Sequence, residues 1–505
     1  MVRLSVPGAR KPSSGASRRG HGAVGPGGAT AATSPHFAVL VTLILSAFLF
    51  GGGSRGDIVS LVILRPLAAL ACGYALLTLD SATIRANRAL FGLFGAMVLL
   101  LALHLVPMPP AMWHLLPGRE VIAAIDRAAG LGEVWRPLTF VPSAGWNALF
   151  ALLVPLAALL LGVQCSPAAL DRLLPLLLVL CLVSGLLGVL QMIGPGQGPL
   201  YFYRITNNGA AVGLFSNRNH AAVFLACYAP MAATWIAAAP AVHGTGRRRL
   251  ILASAGLALI VPLIVAAGSR AGLLTGAVGL VAAAAILHKA RLGSPARADL
   301  KRFGGGAAAL ALALSAVFFV FSRGQAVERL SAADQGEDLR FQAWGTVFRG
   351  IREFMPFGSG AGSFAESYQI FEPDALLSPS YFNHAHNDFL EVAMTLGLPG
   401  LGLIGFAVWL WLFGTWRAWR DGGASRARLG AVLLGLLILA SSVDYPLRVP
   451  SLAVFAVIAA LWLRPGLEQP GRIASGSDTG IRARAVPGSN QGFGPEFSKD
   501  FHAAG

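Results

Sequence analysis

The polar clusters of this chain stand out against long apolar runs. Asn217, Arg218, Asn219 and His220 open one such run, and Ser269 and Arg270 sit between two others. Arg340 and Trp344 lie in a long polar segment, His384, His386, Asn387 and Asp388 precede a further run, and Asp444 and Arg448 share a short turn. A planar guanidinium binds phosphate oxygens bidentately and is weakly hydrated, so it tolerates a half-dry site. A histidine titrates near neutral pH and accepts a proton from a sugar hydroxyl. Together these groups suit glycosyl transfer from a lipid-linked diphosphate. Arginines would stabilise charge on the departing diphosphate while a histidine activates the acceptor.

Each group also has a plainer reading. Arginines at the ends of apolar runs, such as Arg218 and Arg448, can simply snorkel to a membrane interface. His384 and His386 can cap the helix that follows, and Asp444 can be a turn residue. The spacing of four between His384 and Asp388 would put both on one helix face, but no third metal ligand is evident, so no metal is expected. Gly358, Gly360 and Gly362 lack the strand–helix unit of a phosphate-binding loop and predict a tight turn. Cys72, Cys165, Cys181 and Cys227 lie in or beside apolar runs without CxxC spacing and are expected to pack, not to ligate.

The elements that must position these groups follow from composition. Of 505 residues, 55% are hydrophobic and only 12% charged, about half the ~25% of a soluble domain. That excludes a soluble enzyme and a disordered chain. It predicts an all-α polytopic membrane protein. Apolar runs of spanning length recur near 36–53, 58–79, 88–106, 144–164, 172–194, 219–240, 250–267, 271–288, 304–322, 394–415, 429–445 and 449–464, which makes about 12 transmembrane helices. Residues 1–35 read as a disordered basic cytoplasmic arm and 465–505 as a disordered cytoplasmic tail, flanking a membrane domain over 36–464. Residues 107–143 carry a short interfacial helix near 121–129. Residues 323–393 form one large, partly helical loop.

The net charge of +16 fits this topology. With both termini inside, Arg85, Arg172, Arg247–Arg249, Lys289 and Arg417–Arg428 all fall in inside segments. That is the positive-inside pattern, and it needs no nucleic acid as partner. The polar clusters named above then all fall on the outer side.

These residues resemble a known family. The segments GLFSNRNHAA (213–222), GSRAG (268–272), RFQAW with PFGSGAGSF (340–364) and HAHNDFLEVAMTLGLPGL (384–401) are similar, in order and topology, to motifs of the O-antigen ligase/O-antigen polymerase superfamily. Members are bacterial inner-membrane glycosyltransferases of the GT-C type. SSVDYPLRVPS near the C-terminus resembles the family's final Asp-containing turn. The likeness covers roughly 146–463.

The resemblance implies an undecaprenyl-diphosphate-linked glycan as donor, transfer in the periplasm, and neither cofactor nor metal. It implies a lipid A core or a growing polysaccharide as acceptor, with membrane lipids around the chain. His386 matches the family's essential histidine, Arg270 the Ser-Arg arginine and Arg340 the loop arginine. Arg218, Asn219, His384, Asn387, Asp388 and Trp344 are the expected substrate-binding residues, with Arg204 an alternative to Arg218. Ligase, O-antigen or exopolysaccharide polymerase and protein O-glycosylation activities all share this donor chemistry. A transporter or flippase of lipid-linked sugars would instead need polar groups near the bilayer midplane and an internal repeat, which the sequence does not offer.

Overall fold

The computed structural model describes residues 34–239, 244–290, 305–306, 312–313, 342–377, 382–420 and 425–464. In chain order the helices are α1 (Pro35–Phe50), α2 (Leu61–Thr78), α3 (Ser81–Ala86), α4 (Arg88–Leu103), α5 (Pro110–Trp113), α6 (Glu120–Ala128), α7 (Pro142–Ala151), α8 (Leu153–Gly162), α9 (Pro167–Asp171) and α10 (Leu173–Ile193). They continue with α11 (Arg218–Ala226), α12 (Tyr228–Ala237), α13 (Thr245–Ala266) and α14 (Arg270–Lys289). Then come α15 (342–354), α16 (Phe364–Gln369), α17 (Asp388–Arg420), α18 (Ser425–Ser441) and α19 (Pro450–Leu463). The protein is mostly helical, as expected of an all-α membrane protein. Among the described residues the exception is a two-residue antiparallel pair, Pro107–Met108 with Arg136–Pro137.

Seven described spans are long and apolar enough to cross a membrane: Leu61–Thr78, Pro142–Gly162, Pro167–Ile193, Arg218–Ala237, Thr245–Ala266, Arg270–Lys289 and Asp388–Arg420. Three shorter helices, α1, α4 and α19, are also apolar. The expected span near 304–322 and both terminal arms fall almost wholly outside the described residues.

Three apolar runs are each divided in two, and proline explains all three breaks. Pro155, Pro175 and Pro230 each follow the break residue (Leu152, Arg172, Cys227) by three positions. A proline removes one i→i−4 hydrogen bond, and its ring crowds the carbonyl one turn back, so the helix is interrupted there. Apolar faces then pack into one core that takes residues from α1, α2, α8, α10–α13, α18 and α19.

The two ends of the bundle differ. At one end Arg426 pairs with Asp171 at 2.6 Å, Arg464 donates to Asn87, and Arg249 donates to the Trp235 carbonyl. Arg85, Arg172 and Lys289 belong to the same end by helix order. At the other end the α1–α2 turn is tied to two distant segments. Ser451 N–H donates to Gly51 O, and Ser216 N–H to Gly52 O.

A cap covers part of that second end. Its core includes Val347, Phe354, Phe364, Tyr368, Ala385 and Met394. The 356–364 turn is pinned below by Arg119, a buried guanidinium that donates to the carbonyls of Pro117, Leu138 and Gly358. Burial, against the pull of Glu120, pushes the Arg119 pKa down to about 10, so it stays charged at neutral pH. Gly358, Gly360 and Gly362 all have positive φ, so the expected tight turn is present. At Gly360 the requirement is absolute: φ is +106°, and a Cβ would lie 2.0 Å from Thr139 Cα.

Candidate functional site

The polar residues singled out in the sequence come from three helix ends and the cap. Asn217 caps α11 with its side-chain oxygen on the Asn219 amide, which sets Asn219 and His220 in the first turn. Asn387 caps α17 in the same manner, accepting from the amides of Phe389 and Leu390. The helix therefore begins at Asp388. His384 and His386 precede it in irregular backbone, His386 with φ +49°, so the one-face spacing expected for His384 and Asp388 does not arise. Asparagine's short side chain competes with the helical backbone and stops the helix from extending through the histidines.

Asp444, 1% exposed, is the meeting point. It lies in the turn between α18 and α19. Its Oδ2 accepts from Asn219 Nδ2 at 2.8 Å and its Oδ1 from the Tyr445 amide at 3.0 Å. His386 Nδ1 faces Oδ1 at 3.4 Å, and His220 Nε2 faces it at 3.8 Å. Asn387 Nδ2 donates to the Ser442 carbonyl in the same turn. A carboxylate against Nδ1 favours the tautomer with its proton there and leaves Nε2 as the basic nitrogen.

A second carboxylate system lies beside the first. Glu391, 3% exposed, accepts from the Ala385 amide at 2.9 Å and sits 3.0 Å from His384 Nδ1. Arg448 bridges Glu391 and Asp388, at 3.1 Å to each. Burial works against the Arg448 charge, but the two carboxylates outweigh it and hold its pKa above the ordinary arginine value. The Tyr445 ring lies between three imidazoles, with centroids 5.1 Å from His220, 4.2 Å from His384 and 5.0 Å from His386. From the cap, Trp344 Nε1 donates to the Ala385 carbonyl at 3.0 Å, holding the residue between the two histidines.

Asn219, His384, His386, Asn387, Asp388 and Trp344 are therefore drawn together. Arg218 opens α11, half-buried, with its amide on Asn207 Oδ1. Arg270 opens α14, exposed, where Ser269 caps the helix by accepting from the Gly272 amide. The α14 start packs on α11, since a Cβ at Gly272 would meet Ala222. Arg340 lies outside the described residues. Among the described residues no group of three or more His, Cys, Asp and Glu is placed to hold a metal ion. Glu391 and Tyr445 were not among the residues singled out from the sequence, and His220 was singled out without a role. Glu391 falls three residues ahead of the expected 394–415 run, inside the expected 323–393 loop, where an acidic residue carries no signal of burial.

Residues 255–405 match the family model described as O-antigen ligase. The chain carries an O-antigen ligase domain. No curated protein matches the chain. The matched segment runs from α13 through α14 and the cap into α17. It contains Arg270, Trp344, His384, His386, Asn387, Asp388 and Glu391. The O-antigen ligase domain thus takes in most of the site, while Asn219, Asp444 and Arg448 reach it from the flanking helices. With its apolar spans, the chain has the build of a multi-pass membrane protein that carries this domain.

Proposed function

We propose that this protein transfers glycan from an undecaprenyl-diphosphate-linked donor to an acceptor hydroxyl at the periplasmic face of the inner membrane, as an O-antigen ligase acting in lipopolysaccharide biosynthesis. The observation that carries the reading is His386 Nδ1, within the O-antigen ligase segment, against the buried Asp444 that reaches it from a flanking turn. The negative charge of Asp444, 3.4 Å away, favours a proton on Nδ1, so His386 Nε2 takes the proton of the acceptor hydroxyl. The acceptor oxygen attacks the anomeric carbon as the bond to the diphosphate oxygen breaks, with inversion. Arg270 and Arg340, with Arg218, stabilise the charge that builds on the departing undecaprenyl diphosphate. Asn219 fixes Asp444 from the far side. The Glu391–Arg448–Asp388 group and Trp344 fix the His384–Asn387 segment. No step calls for a metal or cofactor.

The test has two parts. Membranes carrying His386→Ala should lose glycan transfer, and normal transfer would remove His386 as the base. Arg270→Ala should weaken binding of the diphosphate lipid, and unchanged binding would remove Arg270 from the clamp. A deletion strain identifies the acceptor. Loss of long-chain lipopolysaccharide with accumulated lipid-linked polymer means ligase. Single-repeat lipopolysaccharide means polymerase, and loss of exopolysaccharide alone means an exopolysaccharide polymerase.

A further inference from the structure

A recess of about 240 Å³ opens between the α1–α2 turn and the segment leading to α11. Its walls include Arg55, Asp57, Val59, Phe202, Arg204 and Ser216. The two walls are fixed to each other. Gly52 N–H donates to the Tyr203 hydroxyl at 2.6 Å, and Ser216 N–H donates to Gly52 O at 3.0 Å. Arg55 holds both oxygens of Asp57, at 2.9 and 3.1 Å. Asp57 is thereby neutralised within the turn. Arg204 stands 4.0 Å from Asp57, and its side chain is 85% exposed. Two guanidinium groups against one carboxylate leave the recess with a net positive charge, carried at its mouth by Arg204.

The surroundings of the mouth are apolar. Val59 is 83% exposed and Phe202 48%, and below them Val62 and Ile63 face outward from α2 at 74% and 56%. In a spanning helix such a face meets acyl chains. A positive recess above a lipid-facing apolar strip suits a phosphate head with a hydrocarbon tail. The inner wall continues directly from Ser216 into Asn217, Arg218 and Asn219, and so to Asp444.

We propose that this recess binds the phosphate of the acceptor lipid, on the α1–α2 flank of the site. Arg204 grips the phosphate, and the tail lies along Val59, Val62 and Ile63. The word acceptor rests on the glycosyl-transfer reading above. The lipid phosphate site itself does not.

The full-length protein in detergent, labelled with photoactivatable phosphatidic acid and mapped by peptide mass spectrometry, tests this. Label is expected on the peptides containing Val59 and Phe202, and Arg204→Ala should lower it there about tenfold, the scale of one charged hydrogen-bonding group. Label elsewhere should be unchanged. Equal labelling by photoactivatable diacylglycerol, or no effect of Arg204→Ala, would overturn the phosphate assignment. Competition by inorganic phosphate at matching affinity would overturn the lipid assignment. In transfer assays with donor and acceptor varied separately, Arg204→Ala should raise KM for the acceptor lipid alone. A rise for the donor alone, or a fall in kcat with both KM values unchanged, overturns the acceptor role. If the unaltered protein transfers no glycan, the transfer reading falls, while the labelling still decides the recess.

Discussion

Asp444 Oδ1 lies 3.4 Å from Nδ1 of His386, joining the turn between α18 and α19 to the irregular stretch just ahead of α17. A carboxylate in this position orients an imidazole and sets its tautomer. Asp444→Asn keeps the shape but lets the amide present its NH2 to Nδ1, which favours the wrong tautomer. Transfer by Asp444→Asn should fall by about a hundredfold or more with little change in donor KM. Initial rates in reconstituted membranes check this, and a rate within threefold or so of the unaltered protein would contradict it.

Glu391 holds three partners at once: the Ala385 amide, His384 and Arg448. Glu391→Ala leaves a guanidinium with Asp388 alone and an amide without its acceptor. We expect a loss of about 3 kcal/mol in stability, with Glu391→Gln intermediate. Thermal unfolding in detergent measures it.

Arg119 ties the cap together through three carbonyls. Arg119→Met fills similar volume but abandons all three acceptors. About 3 kcal/mol should be lost, and limited proteolysis should cut first within the 356–364 turn.

Gly360→Ala should destabilise by at least about 2 kcal/mol, because both its φ and its contact with Thr139 forbid a side chain. Gly402→Ala is the control. A Cβ there meets nothing within 4 Å, so its melting temperature should stay close to that of the unaltered protein.

The Arg55 hydrogen bond holds the Asp57 carboxyl below its usual range, against the opposing effect of burial. A lowered folded pKa gives stability that is present above the unfolded value, about 3.9, and is lost as pH falls through the folded value. Labelling at the recess by photoactivatable phosphatidylglycerol, a phosphodiester whose single phosphate charge does not change in this range, should therefore stay flat from about pH 8 down to pH 5. A fall within that window would mean that the Arg55–Asp57 pair does not shape the recess.

Hydropathy made most of the helices legible, because each apolar run must satisfy its own backbone in lipid. Breaks inside runs were legible only in principle. Pro155, Pro175 and Pro230 were plain to see, but a proline can kink a span without dividing it. In the site, types and order pointed to His386, Asn387 and Asn219 as a group. What sequence could not supply was pairing. Asp444 reads equally well as a turn residue until Asn219, His220 and His386 are seen around it. Glu391 was hidden because it falls at the end of the 323–393 loop, where an acidic residue reads as solvent-facing, and Tyr445 because an aromatic beside a proline looks like ordinary turn packing.

The site draws its carboxylate from the turn between the last two described helices, while the imidazole it faces comes from the stretch just ahead of α17 and the amide from α11. Membrane chains are inserted in order of synthesis. A ribosome that has delivered everything through α18 has made His386, Asn219 and Arg119, yet Asp444 comes three residues later, in the turn that α19 closes. Only insertion of the final hairpin completes the constellation. On the proposed reading, a chain stalled or clipped before α19 should transfer no glycan, because the turn that sets Asp444 against His386 is never closed.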